Sequence, residues 1–170
     1  MKKNQKGFSL IELLIVVAII LIIAAIAIPN LLRARIAANE ASAVGSVRTI
    51  VTAEISYANS YQIGPAVTIG LLQNPPGCVA SSNTACLIDT TLSVNKAKSG
   101  YSFDAAGNGG AGTAASPETG FEAVANPITV GTSGQRSFCA DMSGVLHVDP
   151  AGALMTTAAG ACAAIPAVLQ

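Results

Sequence analysis

The sequence predicts an α+β fold: one long N-terminal α-helix packed on an antiparallel sheet of about four strands. Three observations predict it. Residues 8–28 form an apolar run whose single charge is Glu12. Val44, Val47, Val51, Ile55 and Ala58 then recur at steps of three, four, four and three, the spacing of one helix face. From Lys98 the period shifts toward two, in short segments parted by Gly, Pro, Asn and Ser, as in antiparallel strands.

The first element carries the most information. As a helix, residues 8–28 span ~31 Å at ~1.5 Å per residue, the hydrocarbon thickness of a bilayer. Lys2, Lys3 and Lys6 precede the run. Such a cluster holds the N-terminus on the cytoplasmic side and sends the rest of the chain outward. Glu12 is the anomaly, because a mid-bilayer carboxylate costs about 2–3 kcal/mol or more and usually has a partner. Either it sits shallow and hydrated, or it meets a cation. A cut between Gly7 and Phe8 would create that cation, a new α-amine four residues before Glu12.

Lys6-Gly7-Phe8-Ser9-Leu10-Ile11-Glu12, the apolar run behind it and then Pro29 together resemble the prepilin signal of type IV pilins. The resemblance is tight over the first 30 or so residues and looser beyond. It implies a pilin fold. It also implies that prepilin peptidase cuts after Gly7 and methylates the amine of Phe8, and that Glu12 guides subunit docking. An ordinary secretory signal is the rival reading, since Ala25-Ile26-Ala27 offers an A-x-A cleavage pattern that would leave Ile28 first. A glutamate inside the apolar region argues against it.

The expected organisation is a leader over residues 1–7, a transmembrane and assembly helix over 8–29, and the amphipathic half of that helix over 30–62. A globular head follows over 63–170, with an αβ-loop, the sheet and a C-terminal disulfide region. Pro29 lacks a backbone donor and clashes with the preceding turn, so the helix from about Ser9 to Tyr61 is expected to kink there. Its first half is apolar all round and must be surrounded by lipid or by other helices. Its second half should pack the Val/Ile stripe on the sheet. Gly64-Pro65 stops it or follows its fraying end, and residues 87–92 suggest a short helix. Strands are expected at 100–104, 121–125, 136–141 and 145–149. The pattern G-x-R-x-F-x-x-D-x-x-G-V at 134–145 resembles the strand-turn-strand part of some bacterial pilins.

Composition narrows the function classes. The chain carries nine basic and nine acidic side chains, and loss of the three leader lysines leaves six against nine. A mildly acidic chain lacks the basic face that general nucleic-acid affinity needs. Cys78, Cys86, Cys139 and Cys162 all follow the anchor, on the exported side. An even count there reads as two disulfides. Of three connectivities, Cys78–Cys86 with Cys139–Cys162 is favoured because it closes two local loops. No C-x-x-C occurs and His147 is the only histidine, so no metal is predicted.

Three further patterns are weighed and set aside. Gly107–Gly112 fits G-x-G-x-x-G, but Ser116-Pro117 follows where a phosphate site needs a helix. His147 with Asp141 and Asp149 declares neither a nucleophile nor a calcium-loop spacing, although pseudopilins of secretion systems bind calcium near their C-termini. Tyr57 and Tyr61 share a helix face and read as packing.

The expected function is therefore that of a structural subunit of a type IV pilus, not an enzyme, with no cofactor. Its expected partners are membrane lipid, prepilin peptidase, identical subunits in a helical filament, and an inner-membrane assembly platform driven by a separate ATPase. Nucleic acid enters only as a ligand of the finished pilus. The expected location is the inner membrane for the precursor, with its C-terminal part outside the cytoplasm, and then the extracellular pilus. One alternative is a minor pilin or a type II secretion pseudopilin. Another, of a different class, is a singly anchored adhesin or DNA-uptake receptor that does not polymerise.

Overall fold

The computed structural model describes residues 8–169. The expected leader, with Gly7, lies outside the described residues. Helix α1 (Leu10–Tyr61) holds 52 residues, with Pro29 inside it. The chain divides between Arg35 and Ile36 into two compact units.

In the first unit the large side chains of the apolar run face outward, and Phe8 is 82% exposed. The run buries nothing within its own chain, so its apolar surface awaits a partner.

The second unit is built on a five-stranded antiparallel meander: β1 (Ala97–Lys98), β2 (Tyr101–Asn108), β3 (Gly120–Pro127), β4 (Ser137–Asp141) and β5 (Leu146–Asp149), adjacent in chain order. The four expected strands are β2 to β5; β1 is a two-residue addition at the edge. Period-two alternation sorts their side chains. Tyr101, Phe103, Phe121, Ala123, Ala125, Phe138 and Leu146 join the main core with Val47, Ile50 and Tyr57 of α1. Val124 and Cys139 face the other way, into a smaller cluster with Met155 and Cys162. Strand β3 is consequently buried on both faces.

Of the expected helix stripe, Val47 and Val51 are buried in the core and Val44 packs against it. Ala43, Val47, Ile50, Glu54 and Tyr57 are buried, whereas Ile55 is 44% exposed and Ala58 is only partly covered. Two glutamates and a serine on the buried face, Glu40, Glu54 and Ser46, disguise it in the sequence. The helix ends at Tyr61, as expected, and Gly64-Pro65 follows that end. Gln62 takes a left-handed backbone (φ 55°) just past Tyr61, and its N–H closes on the Ala58 carbonyl at 3.0 Å. Gly64 (φ 81°) then lets the chain pass against the backbone of Glu118, where any side chain would collide.

The connector contains a 3-10 turn (Ile69–Leu72) that the sequence reading missed. The short helix α2 spans Thr90–Ser93, with the Asp89 side chain capping the Leu92 N–H. It is shorter and later than the expected 87–92, because residues 85–88 instead hydrogen-bond back to residues 71–73.

Both favoured disulfides are present. Cys78–Cys86 and Cys139–Cys162 have Cα separations of 5.9 and 5.7 Å. Their sequence separations are 8 and 23. Chain-entropy scaling makes the longer link worth about 3 kcal/mol and the shorter about 2–3 kcal/mol. Replacing Cys139 and Cys162 with serine is therefore expected to lower the stability of the head by about 3 kcal/mol. Denaturant unfolding of the detergent-solubilised chain measures this.

Candidate functional site

The site divides into an apolar N-terminal segment and a head held shut by side chains. At the N-terminus, Glu12 folds back on its own helix. Its Oε2 accepts the Ser9 N–H at 2.9 Å. Ser9 stands just before α1, so Ser9-Leu10-Ile11-Glu12 is half of a capping box, with the third helical residue satisfying an orphan donor. The S-x-x-E spacing ahead of an apolar run carried this signal, and the sequence reading passed over it. Acidic charge in the first turn also suits the helix dipole.

In the free chain the Glu12 carboxylate already serves a backbone amide. Any other cation must compete with that hydrogen bond.

The head is fastened by residues that periodicity did not reveal. Glu40 of α1 accepts the N–H groups of Gln135 and Arg136 at 3.0 and 3.1 Å. It also pairs with the Arg136 guanidinium, 2.7 Å from Nη2. Burial pushes the Glu40 carboxyl up, but the Arg136 side chain and the two backbone donors outweigh it and hold it below its usual value. Asn39 adds a bond to the Ser133 carbonyl at 2.7 Å. These ties lock the helix to the β3–β4 connection.

The C-terminal tail is held on the opposite face. Glu122 receives the N–H groups of Gly160 and Cys162 at 2.8 and 3.3 Å. Asn126 bonds both backbone groups of Met155, at 2.8 and 3.0 Å. Both side chains point outward from β3, beside the Cys139–Cys162 link. A groove of about 530 Å³ runs there, lined by Val148, Leu154, Met155 and Ile165.

The patterns set aside in the sequence find ordinary roles. Gly107–Gly112 lies at the β2–β3 hairpin. The His147 Nδ1 lies 2.6 Å from the Ile165 carbonyl. Asp141 and Asp149 serve their own turns, accepting from Ser143 and from Ala151 and Ala153. Tyr57 and Tyr61 pack with ring centroids 4.8 Å apart.

Comparison with known proteins bears on the N-terminal segment first. Residues 2–28 match the prokaryotic N-terminal methylation motif. The chain is 44% identical over 96 residues to the type IV wide pilus major component PilA4 of Thermus thermophilus, covering 51% of this chain and 73% of that protein. The chain belongs to the type IV pilin family. Its likeness to the type IV major pilin PilA of Myxococcus xanthus is 46% over 54 residues, covering 32% of this chain and 24% of that one. No solved structure matches. Pilins are a structural family, in agreement with the expectation that this chain is not an enzyme. The long helix and antiparallel sheet agree with the expected pilin fold.

Proposed function

We propose that this pilin is the major structural subunit of a type IV pilus, and that residues 8–29 serve it twice. In the precursor the segment spans the inner membrane, with the head outside the cytoplasm. After prepilin peptidase cuts between Gly7 and Phe8 and methylates the new amine, the same segment becomes the filament core. Pro29 supplies a kink where the segment leaves the membrane.

The observation that carries this reading is the outward-facing apolar run with one carboxylate at its start. Lipid satisfies such a surface, and so do copies of itself. A heterologous contact between copies that does not close produces a helical filament. Glu12 then gives the contact its register. A new subunit whose amine reaches a neighbour's Glu12 removes an unpaired charge from the apolar phase, which fixes depth and orientation together. Movement of subunits is assigned to an inner-membrane platform and a separate ATPase.

Sheared surface fibres test the proposal. This chain is expected as their dominant protein. A trace presence would favour a minor pilin or pseudopilin, and absence would favour a singly anchored receptor.

A further inference from the structure

Glu54 lies on the buried face of α1 with none of its surface exposed. Its Oε2 accepts the Ala66 N–H at 2.7 Å, while its Oε1 is buried without a partner. Ala66 sits between the end of α1 and the 3-10 turn. Its carbonyl accepts the Gly107 N–H at 2.8 Å, and nearby Ile63 accepts the Glu118 N–H at 3.0 Å. The Glu54 carboxyl therefore ties the helix to a segment that is itself tied to the β2–β3 hairpin.

The groups around Glu54 do not neutralise a charge. On its own helix stand Tyr57, whose hydroxyl donates to the Ser82 carbonyl, and Tyr61 packed on it. From the hairpin side, Glu118 packs near Ala66 and turns its carboxylate to the Gly110 N–H. Among the described residues the ion pairs are Lys96–Asp104 and Arg136–Glu40, so no cation pairs with Glu54. A neutral acid tolerates one unpartnered oxygen far better than a buried carboxylate does. Burial pushes this carboxyl up to about 8, against the opposing pull of the Ala66 N–H.

We propose that Glu54 is a proton-operated latch: as a neutral acid it holds the Ala66 segment on α1, and as a carboxylate it releases it. The charged form needs water, and only an opening of the segment admits water to Oε1. Because the folded state binds the proton more tightly than the open state, the latch is fully effective below the ordinary carboxylate value of 4.5 and is lost as pH rises to about 8. Between these limits the opening equilibrium shifts by up to about tenfold per pH unit.

Amide hydrogen exchange at Ala66 tests the latch. The full chain in detergent is followed from about pH 5 to about pH 9, with intrinsic exchange corrected. Wild-type protection is expected to fall by up to about tenfold per pH unit and to level off above about pH 8. Glu54→Gln keeps an acceptor but cannot ionise, so its protection should stay high and flat. Glu54→Leu should be flat and low. A flat wild-type profile, or a slope that survives in Glu54→Gln, overturns the proposal. Should neither variant fold, the NMR titration of the wild-type Glu54 carboxyl carbon decides. A midpoint near 8 supports the latch, and one near 4.5 overturns it.

Discussion

Replacing Glu12 with alanine is expected to abolish surface fibres while the precursor still accumulates in the membrane. The proposed pairing places the amine of one subunit against the carboxylate of another in a water-poor core. Removing one partner of a buried pair costs about 3–5 kcal/mol, because the other charge is left uncompensated. That is more than about a hundredfold in each subunit's association constant. Insertion depends on the apolar run itself and does not need the carboxylate. Glu12→Gln separates the two roles of this residue. Its amide oxygen can still accept the Ser9 N–H, whose bond to Glu12 is 2.9 Å in the free chain. It offers no charge to an amine. Fibre loss in both variants assigns the effect to pairing; fibres in Glu12→Gln alone would assign it to the helix cap. Normal fibres in Glu12→Ala would remove the residue from assembly.

Glu40→Ala is expected to destabilise the head markedly. It deletes the acceptor for two backbone amides and the partner of Arg136 at once. Unsatisfied donors cost about 1–3 kcal/mol each when buried, less where water reaches them. The Arg136 side chain is 42% exposed, so its pairing contributes little beyond the amides. A net loss of about 2–4 kcal/mol follows, which lowers the melting temperature by about 5–15 °C for a chain of this size. Thermal unfolding of the solubilised chain measures it. Arg136→Ala should cost less, since the backbone amides keep their acceptor. The two buried glutamates of α1 also respond oppositely to pH. Glu40 is held below its usual value, so the stability it contributes is present above the ordinary carboxylate range and is lost on acidification. Glu54 is raised, so its contribution is lost toward alkaline pH.

The N-terminal segment was legible in the sequence because its signal is chemical and ordered. Gly7, Phe8, Glu12 and Pro29 stand at fixed spacings around a run that no soluble core requires. Strands β2 to β5 were legible because period-two alternation and turn residues coincide. The disulfides followed from local loop closure. The buried face of α1 was legible only in part: Val44, Val47 and Val51 pack on the core as the stripe predicts, but its polar members were hidden. Glu40, Ser46 and Glu54 are polar, and a hydropathy pattern assigns them outward. Their burial depends on partners from distant segments: Gln135 and Arg136 for Glu40, and Ala66 for Glu54. The same holds for Glu122 and Asn126, whose partners lie in a tail with no periodicity of its own. Turns such as Ile69–Leu72 carry no sequence period either, being fixed by backbone bonds to residues 85–88.

In the proposed assembly, a cut at Gly7–Phe8 converts a membrane anchor into a filament core by exposing an amine for Glu12. The mass of the N-terminal peptide from sheared surface fibres tests it most directly. Fibre subunits are expected to begin at Phe8 and to carry one methyl group on its amine. Fibre subunits that begin at Met1 or at Ile28 would contradict it.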